Sequence, residues 1–98
     1  MSLTAKEAKD IALRKHQLLY KKFFDENIDT IDKLILKEAE QGITKCQVST
    51  RYCTHMHFLV YPFDEDKNTM IQNVTTYYKG LGFNIIEEDE LLVIEWSD

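Results

Sequence analysis

Apolar and polar residues recur along this chain with two different periods, and the switches between them mark out the elements. Ala8, Ile11, Ala12, Leu19 and Phe23 fall at spacings of three, four and seven, with Lys and Arg on the opposite side, which predicts an amphipathic helix running to about residue 24. Thr4-Ala5-Lys6-Glu7 reads as its capping box. The Thr hydroxyl accepts from the backbone three residues on while the Glu side chain reaches back to the Thr amide. Asp25-Glu26-Asn27 interrupts the pattern with residues that favour turns and caps, so a break is expected, with Asn27 or Asp29 capping a second helix. Ile28, Ile31, Leu34, Ile35 and Ala39 mark the buried face of that helix. Gly42 supplies the left-handed residue that ends it.

From Ile43 the period becomes two. Thr44, Cys46 and Val48 alternate with Lys45, Gln47 and Ser49, as in a half-buried strand. After a weak turn at Ser49-Thr50-Arg51, a second extended run is predicted. Tyr52, Thr54, Met56, Phe58 and Val60 form one face of it, and Cys53, His55, His57, Leu59 and Tyr61 form the other. Its aromatic and β-branched content and the terminating Pro62 favour a strand over a helix.

Asp64-Glu65-Asp66 puts negative charge where the positive end of a helix dipole belongs. Lys67, Met70, Ile71, Val74, Tyr77, Tyr78 and Leu81 follow at helical spacing, the clearest amphipathic pattern in the chain. Gly80-Leu81-Gly82 ends that helix. A strand over residues 83–87, a polar connection at Glu88-Asp89-Glu90 and a strand over residues 91–96 then make a C-terminal hairpin. The order is α-α-β-β-α-β-β, and since each amphipathic face must be buried against another element, an α+β fold follows. It has two N-terminal helices and one later helix packed on one face of a small three- or four-stranded, mainly antiparallel sheet.

Composition narrows the picture. At 98 residues the chain can build one hydrophobic core, so a single domain over residues 1–98 is expected. A content of 44% hydrophobic and 30% charged residues suits an ordered globular protein. No apolar run nears the roughly 18 residues that a membrane span needs, and no apolar stretch of a secretory signal follows the first basic residues, so a cytoplasmic protein is expected. Cys46 and Cys53 are too few for a disulfide framework and suit a reducing compartment as free thiols, although strands pairing over residues 46–61 could bring them face to face.

The net charge of −5 conceals an asymmetry. Residues 1–24 carry six basic and two acidic groups, a net +4, whereas residues 25–98 carry a net −9. Such a basic helix can dock on its own acidic body, on a second copy, or on an external polyanion. The acidic body repels nucleic acid and argues against non-specific DNA binding.

The sharpest candidate for chemistry is Cys53-x-His55-x-His57. On a strand these side chains would share one face at intervals of about 7 Å, an arrangement able to contribute zinc ligands. The paired spacing of an established zinc motif is lacking, and the same pattern describes the polar face of an amphipathic strand. A Cys/His nucleophile pair would need a third orienting group that the pattern does not supply. The glycines sit at predicted helix ends and form no phosphate-binding loop. The acidic clusters at 64–66 and 87–90 lack an EF-hand spacing and read as caps and turn. Tyr52, Tyr61, Tyr77 and Tyr78 can stack on a base but suit a core equally. His16 lies at the edge of the first apolar stripe with no evident partner. No catalytic residue, metal or cofactor is therefore expected. The binding candidates are Arg51, His55 and His57 on the extended run, and Lys6, Lys9, Lys15, Lys21 and Lys22 on the basic helix.

The layout resembles a class of small tailed-bacteriophage accessory proteins, through the capped Thr4-Ala5-Lys6-Glu7-Ala8 start, the helix ending Ala39-Glu40-Gln41-Gly42, the Tyr-x-x-x-Gly-Phe segment from Tyr78 to Phe83 and the closing Ile94-Glu95-Trp96. The likeness is structural and brings no catalytic residues. It implies a phage accessory protein; the absence of catalytic motifs and the charge-polarised surface add the expectation of a non-enzymatic early or counter-defence factor that engages a host or phage protein or a small anionic ligand. A self-associating virion-associated subunit, forming a homo-oligomer, and a small metal or thiol protein using Cys53, His55 and His57 are the alternatives.

Overall fold

The computed structural model describes residues 2–97. Helix α1 spans Ala5–Glu40, strand β1 Lys45–Ser49, a short 3-10 turn Asp64–Asp66, helix α2 Lys67–Gly80, and strands β2 Asn84–Glu88 and β3 Leu91–Glu95. The α+β class is as expected. Among the described residues the count differs, with two helices in place of three and a three-stranded antiparallel sheet in the order β1-β3-β2.

Helix α1 begins, and both helices end, for local reasons. Glu7 N–H donates to Thr4 Oγ1 at 3.1 Å and Thr4 N–H donates to Glu7 Oε1 at 3.3 Å, the expected capping box. Gly42 and Gly82 take the left-handed region, with φ of +79° and +98°. The next residue then folds back in each case, Ile43 N–H onto Glu38 O and Phe83 N–H onto Tyr78 O, closing a Schellman motif at each helix end.

The expected break at Asp25-Glu26-Asn27 does not occur. Asn27 points inward and is buried, its Nδ2 donating to Val60 O and its Oδ1 accepting from Val60 N–H, both at 2.8 Å. An Asn inside a helix loses only about 0.5 kcal/mol of propensity, less than two hydrogen bonds to otherwise unpaired buried groups return. With no Gly or Pro between residues 5 and 41, nothing else stops the helix.

The predicted strand over residues 52–61 is also absent. Residues 50–63 form an irregular loop that meets β1 only at a parallel bridge between Ser49 and Phe58. Ser49 N–H donates to His57 O, Leu59 N–H donates to Ser49 O, and Asn27 holds Val60. The loop's anchor is Leu59, 2% exposed, which lies on the face expected to be polar. Met56, Phe58 and Val60, on the opposite face of the predicted strand, are only half-buried.

The core lies between the sheet and one side of each helix. Ile31, Val48, Met70, Val74, Tyr78, Leu92 and Ile94 are fully buried there. Tyr78 ties the helices together, its hydroxyl donating to Asp32 Oδ1 at 2.8 Å and contacting Ile28 O at 3.2 Å. A radius of gyration of 16.4 Å and extents of 61 × 27 × 20 Å exceed the roughly 13 Å radius of a compact chain of this length. The excess is α1, whose 36 residues run about 54 Å.

Candidate functional site

The N-terminal part of α1 projects past everything it could pack on. Every residue from 2 to 15 is exposed, so Ala8, Ile11 and Ala12, expected on a buried face, are not covered; nor is Leu19. The geometry is clearest for Leu13. It lies about five turns before Ile31 on the same line of the helix, yet Ile31 is 0% exposed and Leu13 53%. One face of one helix is thus sealed around Ile31 and bare before His16.

Beneath the bare part is a notch of about 420 Å³ between the helix and the loop that leads to α2, lined by Ala12, Leu13, Leu19 and Phe63 with Lys9 and Lys15 at its rim. Phe63 is itself 54% exposed. The notch is closed at its inner end by His16, whose Nε2 stands 3.0 and 2.9 Å from the two carboxylate oxygens of Asp66. Asp66 Oδ2 also accepts from Phe63 N–H at 3.2 Å, and the His16 ring leans on the Phe63 ring at a centroid distance of 5.6 Å. His16 is the most N-terminal residue of α1 that bonds another element among the described residues. It therefore sets where the arm leaves the body. No sequence signal marked this pair, because its members lie 50 positions apart.

The other candidates disperse. Of the lysines expected on a single basic face, Lys9 and Lys15 edge the notch. Lys21 and Lys22 line a separate shallow hollow with Leu18, Asp25, Glu26 and Asp29, and Lys6 is exposed near the start of the helix. Arg51 is committed to the β2–β3 turn, its Nε 2.8 Å from Glu90 Oε2, and does not join His55 and His57. Those two are exposed and line a separate groove of about 480 Å³ with Lys37, Lys45 and Met56.

Cys53, His55 and His57 do not converge, since the strand that would have aligned them is a loop. Among the described residues no group of three or more His, Cys, Asp or Glu side chains is placed to hold a metal ion. Cys46 and Cys53 are both free thiols. Burial, followed by the nearby Glu38 carboxylate, pushes the Cys46 thiol from 9.0 up to about 11, which removes its nucleophilic form at neutral pH. Tyr77 packs edge-on against Phe24 and Tyr78, and Tyr52 against Phe58, so these rings stack within the protein. Burial and the Asp32 carboxylate push the Tyr78 phenol upward.

No helix is long and apolar enough to cross a membrane among the described residues. Compared with family models, curated proteins and solved structures, the chain matches none.

Proposed function

We propose that this chain is a non-enzymatic binding protein, and that the notch under the projecting part of α1 receives an amphipathic, acidic segment of a partner protein. The observation that carries this is the pair Leu13 and Ile31, one helical face continued past the body with its apolar residues uncovered. Leaving Leu13, Leu19 and Phe63 in water forgoes the burial that stabilises such residues elsewhere, at about 25 cal/mol per Å² of apolar surface. The rim of Lys9 and Lys15 selects acidic partners over basic ones, by steering within a Debye length of about 8–10 Å. The same charge disfavours pairing two of these arms with each other. The resemblance to tailed-phage accessory proteins is the reason to look first for a host or phage partner in the cytoplasm.

The test is photocrosslinking in cells, with a photoreactive residue at Leu13 or, as a control, at Lys79 on the far side. A discrete adduct at position 13, absent at position 79 and lost on Lys9→Glu with Lys15→Glu, is expected. Equal labelling at both positions would refute the reading.

A self-associating subunit is supported by a separate observation. Residues 5–24 of α1 carry six basic and two acidic groups, while residues 25–40 carry six acidic groups and only Lys33 and Lys37, so the helix runs from +4 to −4. Two copies laid antiparallel along their outer faces would match both halves. In that case sedimentation shows a dimer that dissociates as salt rises.

A further inference from the structure

We propose that the outer edge of β1 is a second, independent binding site, one that accepts an extended acidic peptide as an added strand. Thr44 O accepts from Trp96 N–H and Thr50 N–H donates to Glu90 O, so the even-numbered residues turn their polar groups toward β3. Because strand residues alternate, Lys45, Gln47 and Ser49 turn theirs to the other side. Ser49 is already engaged there by His57 and Leu59. The N–H and C=O groups of Lys45 and Gln47 have no strand beside them, since β1 is a terminal strand of the sheet.

Beside this edge lies the groove of about 480 Å³, walled by the end of α1 and by the loop carrying His55 and His57. Its apolar residues are Leu34, Ile43 and Met56, and its charged ones are Lys37 and Lys45 against Glu38. Neither lysine has an ion-pair partner within 4.0 Å among the described residues. The groove thus combines open backbone groups, apolar pockets and uncommitted cations. These are what strand addition requires, main-chain bonds for affinity and flanking side chains for selection. Free edges are commonly guarded by charge, and β2 at the opposite edge has Glu87 and Glu88 for this. On β1 the guarding charge is Lys45, which repels basic segments and admits acidic ones.

The experiment uses the full chain and a blocked six-residue peptide alternating glutamate and valine. Binding is followed by fluorescence anisotropy at low salt and by backbone amide NMR. The expected result is saturable binding, slowed amide exchange at Lys45 and Gln47, and a roughly tenfold loss of affinity for each of Lys37→Glu and Lys45→Glu. Gln47→Pro is the sharper variant. The Gln47 N–H faces outward, so the ladder to β3 survives, as proline permits on an edge strand, while the added strand loses a donor and meets the ring.

The same peptide N-methylated at alternate backbone nitrogens keeps its charge and should not bind. Three outcomes overturn the proposal. They are no binding up to millimolar peptide, equal binding of the N-methylated peptide, and full competition by inorganic phosphate at the peptide's own concentration, which would make this a simple anion site. Should Gln47→Pro fail to fold, the N-methylated peptide and the amide exchange still decide the matter. Variants in the Leu13 notch leave this binding unchanged, so the two sites stand or fall separately.

Discussion

The two halves of α1 are built from similar residues and have opposite fates. Its second half sets Asn27, Ile28, Ile31, Leu34 and Ile35 against the sheet, α2 and the loop, and there Ile31 is sealed completely. Its first half carries Ala12, Leu13 and Leu19 at compatible helical positions, touches the body through Tyr20 and the His16–Asp66 clasp, and is exposed at every residue before His16. Amphipathicity therefore states only that a face is fit to be covered. Whether it is covered depends on how far the rest of the chain extends beneath it.

The contrast can be broken most severely at its covered end. Ile31→Ala should cost about 2–5 kcal/mol, because the emptied volume is walled by fully packed neighbours, whereas Leu13→Ala should stay within about 0.5 kcal/mol. Urea unfolding of the two variants checks this, and equal losses would mean that the first half is covered in solution. Next in size is Asn27→Leu, which leaves the N–H and C=O of half-buried Val60 without their partners and should cost about 1–3 kcal/mol. Amide exchange should then show the loop at residues 56–61 opening while α1 itself remains helical.

His16→Ala should cost about 1 kcal/mol, as the ring is 37% exposed and screened by water although Asp66 behind it is buried. Its effect should be local, faster amide exchange over residues 5–20 with α2 unaffected, and a uniform change would argue against the clasp. The smallest effect is on the alkaline side. Cys46 holds its proton more tightly in the folded chain than in the unfolded one, so its contribution is whole below about 9 and lost as pH rises toward about 11. Tyr78, also shifted upward, acts with the same sign. Denaturant midpoints from pH 8 to 11 should fall, and less steeply in Cys46→Ala. At pH 8, Cys53 should react with a thiol reagent well before Cys46.

Much of the fold was legible because its causes are local. The capping box at Thr4, the left-handed Gly42 and Gly82, the apolar stripe of Met70, Ile71, Val74 and Tyr78, and the closing hairpin each depend on residues within a few positions of one another. The errors share the opposite property. Asn27 looked like a cap because its true partner, Val60, lies 33 residues away. Residues 52–61 looked like a strand because alternation says nothing about whether a neighbouring strand is available. The candidate site fared least well. Arg51 was drawn off by Glu90, Cys53 was separated from the histidines as a ligand set, and the lysines were divided among several surfaces.

By itself, then, the sequence determined the capped start at Thr4, the glycine-marked helix ends at Gly42 and Gly82, the α+β class and the polarity of charge from one end of α1 to the other, all of which follow from short-range periodicity and composition. The tertiary structure alone decided that α1 is one helix with an uncovered arm, that His16 meets Asp66, and that an edge of β1 stays open beside two lysines. Those outcomes depend on which distant groups arrive to satisfy a buried amide, an apolar face or a strand edge, and no local pattern encodes that arrival.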